Sequence, residues 1–218
     1  MSVDRIVRER GITELLHFTT NKGCLGVLAT RALKPRQRLS QEEALEFILQ
    51  VNAEDRSRDV EWHDFVNLSI SRINAHFFRT SDLKHRDKDL WWCILSFRPE
   101  ILGHPNVYFT TTNNMYSGVK RAVGAEGMQA LFEPGIHQYY LSRESRNVTV
   151  TRGASLPEHL TTCEQAEALY PGEVPTEFLQ AIYVADEAHL GEVAAQIDVV
   201  DHRRIDIILA PDKFKEFR

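Results

Sequence analysis

A chain of 218 residues with 43% apolar and 26% charged side chains can bury one substantial core, and that composition excludes a disordered, fibrous or low-complexity protein. A formal net charge of −5 excludes a uniformly basic nucleic-acid coat, although it leaves the field inside any one groove open. Cys24, Cys93 and Cys163 lie too far apart for a disulfide framework or a CxxC pair, and His159 with Cys163 supplies two ligands at most, so no metal is expected.

In chain order, the opening Met1-Ser2-Val3-Asp4-Arg5 already mixes charge with apolar residues and lacks the apolar core of a signal peptide. No later apolar run is long enough to span a bilayer, so no membrane partner is expected and the expected compartment is the cytoplasm. Leu15–Thr19 reads as a strand and Lys22–Thr30 as a helix; Arg31, Lys34, Arg36 and Arg38 then form a basic cluster. Ser40 followed by Glu43 makes a capping box, and Leu45, Ile48 and Leu49 recur at helical spacing. After the polar run Asn52 to Asp59, strands are expected at Phe65–Ile70, Trp92–Phe97 and Val107–Thr111, with a second basic group at Lys84, His85, Arg86 and Lys88. A helix is expected over Ser117–Phe132, broken by Gly124 and Gly127. A polar stretch from Arg143 to Thr162 follows, then strands at Ala181–Val184 and Ile205–Leu209 flanking a helix at Glu187–Ile197. With no internal repeat and no Gly/Ser linker, residues 1–218 read as a single domain, of mixed α/β or α+β class. GxGxxG, GxxxxGK, GxSxG and HExxH are all missing, which removes the main support for several large enzyme classes.

Three segments, in order, resemble the DarT family of DNA ADP-ribosyltransferases. The first is Leu15-Leu16-His17-Phe18-Thr19 with the helix through Leu25 and Leu28. The second is Trp62-His63-Asp64-Phe65-Val66 running into Asn67-Leu68-Ser69-Ile70, and the third is Gln165-Ala166-Glu167-Ala168-Leu169 before Val174-Pro175 and the Ala181 strand. A weaker echo is Val107-Tyr108-Phe109-Thr110 before Asn113-Asn114. The resemblance implies an α+β ADP-ribosyltransferase fold of two short, packed, mainly antiparallel sheets with flanking helices and an NAD cleft between the sheets. It implies NAD+ as co-substrate, contacted by His17, Phe18, Thr19, Asn21 and Leu25, with Glu167 and Arg72 catalytic. It places target recognition before Glu167, where Arg143, Arg146 and Arg152 would hold single-stranded nucleic acid while Trp62, Tyr139 or Tyr140 stacks a base. It also implies restraint by a macrodomain antitoxin resembling DarG. The thymine-directed branch carries Pro-Phe-Tyr-Phe and then Arg-Ser-Pro-Met where this chain has Asn67-Leu68-Ser69-Ile70-Ser71-Arg72-Ile73-Asn74, which is closer to the guanine-directed branch. Transfer to RNA or protein, or a non-catalytic NAD-binding module, are the alternatives.

The chemistry suits those residues. Breaking the nicotinamide–ribose bond builds positive charge on the ribose, and a fixed carboxylate such as Glu167 opposes that charge most strongly in the transition state. The same carboxylate can accept the proton of an attacking base amine. Taken by their residues alone, Glu167 reads as a loop carboxylate and His17 as a half-buried strand histidine. His63 and Asp64, adjacent on a strand, point to opposite faces and cannot share one task.

Overall fold

The computed structural model describes residues 1–35, 38, 62–84, 90–116, 119–139 and 147–215. The chain opens on a helix that the sequence reading passes over, α1 (Val3–Arg10). Its signals are local: Ser2 caps it by accepting the Arg5 N–H at 3.3 Å, Asp4 lies in the first turn, Arg8 and Arg10 in the last, and Gly11 ends it at φ 65°. Strand β1 (Leu15–Thr20) runs directly into α2 (Asn21–Thr30), whose N-cap Thr20 accepts the Gly23 N–H at 3.1 Å. A Cβ on Gly23 would lie 2.1 Å from Thr19 Oγ1, so glycine lets the helix land on the end of its own strand.

After β2 (Ala32–Leu33) come β3 (Phe65–Ile70), α3 (Ala75–Lys84), β4 (Trp92–Phe97), β5 (Tyr108–Thr110), β6 (Arg121–Val123), α4 (Gly124–Ala130) and the ribbon β7 (Gly135–Tyr139) and β8 (Asn147–Thr151). The chain closes with β9 (Glu167–Pro171), β10 (Val174–Pro175), β11 (Leu179–Val184), α5 (Ala188–Val199) and β12 (Asp206–Leu209). The main sheet has eight strands in the order β12-β11-β4-β1-β3-β9-β5-β6, with β2/β10 and β7/β8 as separate two-stranded ladders. It is antiparallel throughout except for β11 and β12, which are parallel and joined through α5. The expected pair of short sheets is therefore corrected to one eight-stranded sheet. The reason is β1, which pairs with β4 along six residues but with β3 through Leu15↔Ile70 and Leu16↔Ser69 alone. Those two rungs hold two four-stranded halves in one sheet and release them from each other beyond Leu16.

Each face of the sheet carries an apolar layer. One is built on Leu15, Leu68, Ile70, Leu95 and Phe97 with α1, α2 and α5; the other is built on Leu16, Phe18, Ile73, Trp92 and Ile94, with Phe77, Phe78 and Phe214 against it. Two further expectations change. The helix expected over 117–132 is β6 followed by α4, and Gly127 lies inside α4 because a Cβ there would meet the Ala122 carbonyl oxygen at 2.3 Å. The Gln165–Leu169 segment, read as a loop, contains the start of a strand laddered on both sides. The capping-box helix from Ser40, the polar run Asn52 to Asp59, and His85, Arg86 and Lys88 lie outside the described residues. No described helix is long and apolar enough to cross a membrane.

Candidate functional site

Register brings the chemistry together. Leu16 pairs with Ser69, Ser69 with Glu167, Glu167 with Thr110 and Thr110 with Arg121, so these five residues form one row on one face across β1, β3, β9, β5 and β6. Adjacent strands lie about 4.8 Å apart, which sets Glu167 about 10 Å from β1.

The half-buried Glu167 is held firmly. Its Oε2 accepts the Asn114 N–H at 3.0 Å, and its carbonyl accepts the Thr110 hydroxyl at 3.3 Å. Asn114 is itself gripped by Arg121, whose Nε donates to Asn114 Oδ1 and whose Nη2 donates to Asn114 O, both at 2.6 Å. Gln165 accepts the Tyr116 hydroxyl at 2.9 Å, while Ala166, at 2% exposure, belongs to the core. Both polar members of Gln-Ala-Glu are thus tied to the loop after β5 and its small residue to the interior. Sequence reasoning missed Asn114 and Arg121 as parts of this site; the Asn113-Asn114 pair after a strand was the available signal.

On β1, His17 Nδ1–H donates to the Asn67 carbonyl at 3.0 Å, where the next β1/β3 rung would have been. With the proton on Nδ1, the neutral ring keeps Nε2 as its acceptor. Thr19 is on the same strand face as His17 and packs under Gly23. Asn21 is the first residue of α2, its N–H donating to the Trp91 carbonyl at 2.9 Å, and Leu25 is half-buried one turn on. Phe18 is placed differently: its ring lies among Phe77, Phe78 and Trp92 at centroid distances of 5.6, 5.3 and 5.7 Å.

Arg72 follows a strained turn. Ser71 has φ 62°, and the Arg72 N–H donates to the Ile70 carbonyl at 2.8 Å, a three-residue turn of the uncommon positive-φ kind, costing on the order of 1–3 kcal/mol. The Arg72 guanidinium donates through Nη2 to Thr161 O at 3.1 Å, while its Nε and the Ser71 hydroxyl are buried with no hydrogen-bond partner among the described residues. Burial pushes the guanidinium below its ordinary pKa, with Glu164 acting in the opposite sense. All three line a cavity of about 400 Å³ with Leu16, His159 and Lys213. Lys213 is fixed on the cavity wall by the buried Glu14, which also accepts Ser96 Oγ and the Tyr183 hydroxyl, each at 2.8 Å. Burial first, and Glu14 second, push the Tyr183 pKa up to about 12.

Arg152 is 15% exposed and donates to the carbonyls of Leu160 at 2.7 Å and Pro157 at 2.9 Å, which makes it the fastener of the loop before Glu167. Arg143, Arg146 and Tyr140, and the Tyr139 side chain, lie outside what is described. Trp62 stacks edge-on against Tyr108, with centroids 5.1 Å apart, and the Arg121 guanidinium lies 5.5 Å from its ring. Asp64 takes a two-point bond from Arg38, at 2.7 and 3.1 Å, which holds its carboxyl below the usual range; this is a structural role.

The family model described as "ssDNA thymidine ADP-ribosyltransferase, DarT" matches residues 16–215. The fold is similar to that of Thermus sp. 2.9 DarT in complex with NAD+, at 14% identity and a TM-score of 0.64 over 93% of this chain and 98% of that one. The same Thermus protein in complex with ADP-ribosylated ssDNA gives 14% identity and a TM-score of 0.65, over 94% and 97%. Thermosipho africanus DarTG in complex with ADP-ribose gives 15% and 0.59, over 93% of this chain and 51% of that one. No curated protein matches. The chain belongs to the DarT family of ADP-ribosyltransferases.

Proposed function

We propose that this DarT-family member transfers ADP-ribose from NAD+ to a guanine base of single-stranded DNA. The observation that carries the reading is Glu167, anchored on the Asn114 N–H at 3.0 Å and standing two strands from β1, the strand that carries His17. His17, Thr19, Asn21 and Leu25 line the NAD+ side, and Phe18, whose ring is packed away, contributes main chain. Glu167 holds a ribose hydroxyl and stabilises the charge that builds as the bond from ribose C1 to nicotinamide breaks. Nicotinamide leaves with the bonding pair, the base nitrogen bonds to C1, and Glu167 takes the base proton. Arg72, with unsatisfied donor capacity beside the cavity, neutralises phosphate charge.

Guanine is favoured by β3, where Ser69 stands opposite Glu167 at the place of the tyrosine in the thymine-directed pattern, leaving room for a purine. The family description names thymidine, which makes thymine the second reading. Arg143 and Arg146 are proposed to contact DNA phosphates, Arg152 to shape their loop, and Trp62 to stack a base. Such an activity, drawing on NAD+ and DNA, fits a cytoplasmic toxin restrained by a macrodomain partner resembling DarG. The test offers NAD+ with single-stranded oligonucleotides holding one guanine or one thymine, their duplexes, an RNA and a polypeptide, and reads mass shift. Modification of the single-stranded guanine oligonucleotide is expected. Modification of thymine alone, RNA or polypeptide assigns the target to that class, and nicotinamide release with no acceptor at all sinks the transfer reading.

A further inference from the structure

We infer that Arg121 is a positioning residue for the reaction, acting on Glu167 through the backbone of Asn114; the inference rests on Glu167 being the catalytic carboxylate. The chain of contacts is continuous. Arg121 Nε and Nη2 each reach an Asn114 oxygen at 2.6 Å, and the Asn114 N–H points at Glu167 Oε2 from 3.0 Å. Gripping Oδ1 and O of one residue at once fixes the orientation of that residue, because a planar guanidinium delivers two parallel N–H groups in a set geometry. Orienting Asn114 directs its N–H at the carboxylate, which binds the ionised form better than the protonated one. It also leaves the other carboxylate oxygen at a fixed position, and fixed position is what electrostatic catalysis needs.

Simple edge packing does not account for this arrangement. Arg121 lies on the terminal strand of the sheet with its side chain on Glu167's face, next to Trp62, and both of its 2.6 Å bonds go to the residue whose N–H meets Glu167 Oε2. An edge arginine with a purely solvated role would have no reason to satisfy two acceptors on a single loop residue. Among the described residues, the charged and titratable groups on the elements around Glu167 are Arg121 on β6, Tyr108 on β5, Tyr116 in the loop after β5, and Cys163 and Glu164 just before β9, with Arg72 facing those two.

The test compares Arg121→Met and Arg121→Lys by single-turnover transfer to an oligonucleotide across pH, with NAD+ affinity and melting temperature measured on the same proteins. A hydrogen bond to a charged group, once misaligned, costs about tenfold to a hundredfold in rate. Both variants are expected to lose turnover on that order while NAD+ affinity stays within about threefold, the split expected of a transition-state effect. The acidic limb of turnover should move up by about one pH unit, since the same tenfold change in stabilising the carboxylate is one pKa unit. Lysine keeps the charge but lacks the fork, so parental turnover in Arg121→Lys, or an unmoved acidic limb in Arg121→Met, overturns the inference. In a Glu167→Gln background, Arg121→Met should cost nothing further. Parental activity in Glu167→Gln alone would instead sink the Glu167 reading, while an inactive Glu167→Gln beside a fully active Arg121→Met sinks this inference and leaves that reading standing.

Discussion

Glu167→Gln removes one negative charge and one proton acceptor while leaving nearly everything else in place. Glutamine has the same volume, its Oε1 can still accept the Asn114 N–H, and the backbone rungs to Ser69 and Thr110 are untouched. Stability should therefore change by less than about 1 kcal/mol. The rate effect is larger. A carboxylate about 4 Å from the charging ribose contributes about 4 kcal/mol at the effective dielectric of a partly open site. That corresponds to roughly a thousandfold in turnover. Because the full ribose charge exists in the transition state, NAD+ affinity should fall by far less, within about tenfold. Single-turnover mass shift of a target oligonucleotide gives the rate, and calorimetric titration with NAD+ gives the affinity. A variant turning over within tenfold of the parent, or losing affinity as much as rate, would refute the role given to this carboxylate.

His17→Ala should weaken NAD+ binding by about tenfold, the worth of one well-placed hydrogen bond, and lower the melting temperature by only about 2–4 °C for the lost bond to Asn67. Unchanged affinity with a larger drop in melting would return the histidine to the core. Arg72→Met should leave stability unchanged within about 1 kcal/mol or raise it, since it removes a desolvated cation with an unpartnered Nε, while transfer falls by about a hundredfold. A destabilised but active Arg72→Met protein would show the reverse, a structural arginine. Gly127→Ala should destabilise by about 1–3 kcal/mol in urea unfolding despite alanine's better helix propensity, because the new Cβ meets the Ala122 carbonyl oxygen at 2.3 Å. An unfolding midpoint at or above the parent's would mean that the β6–α4 turn yields more readily than its packing implies.

The sequence by itself determined whatever depends on neighbours along the chain. The apolar and β-branched runs that become β1, β3, β4, β11 and β12 were readable within one or two residues, as were α2 and α5, because strand and helix preferences act over a few residues. The three family segments were readable as a resemblance, and the family model that matches residues 16–215 agrees with it. Other features required distant segments to meet. Gln165-Ala166-Glu167-Ala168-Leu169 is made of good helix formers, yet Glu167 begins a strand because β3 and β5 supply backbone partners on both sides. Two rungs between β1 and β3 made one sheet of the expected two, a difference no local pattern encodes. The grip of Arg121 on Asn114 and the carbonyls that occupy Arg152 likewise arise only once the chain has closed on itself. Residue types record which chemistry is available, and strand register decides which of those groups lie within hydrogen-bonding distance of one another.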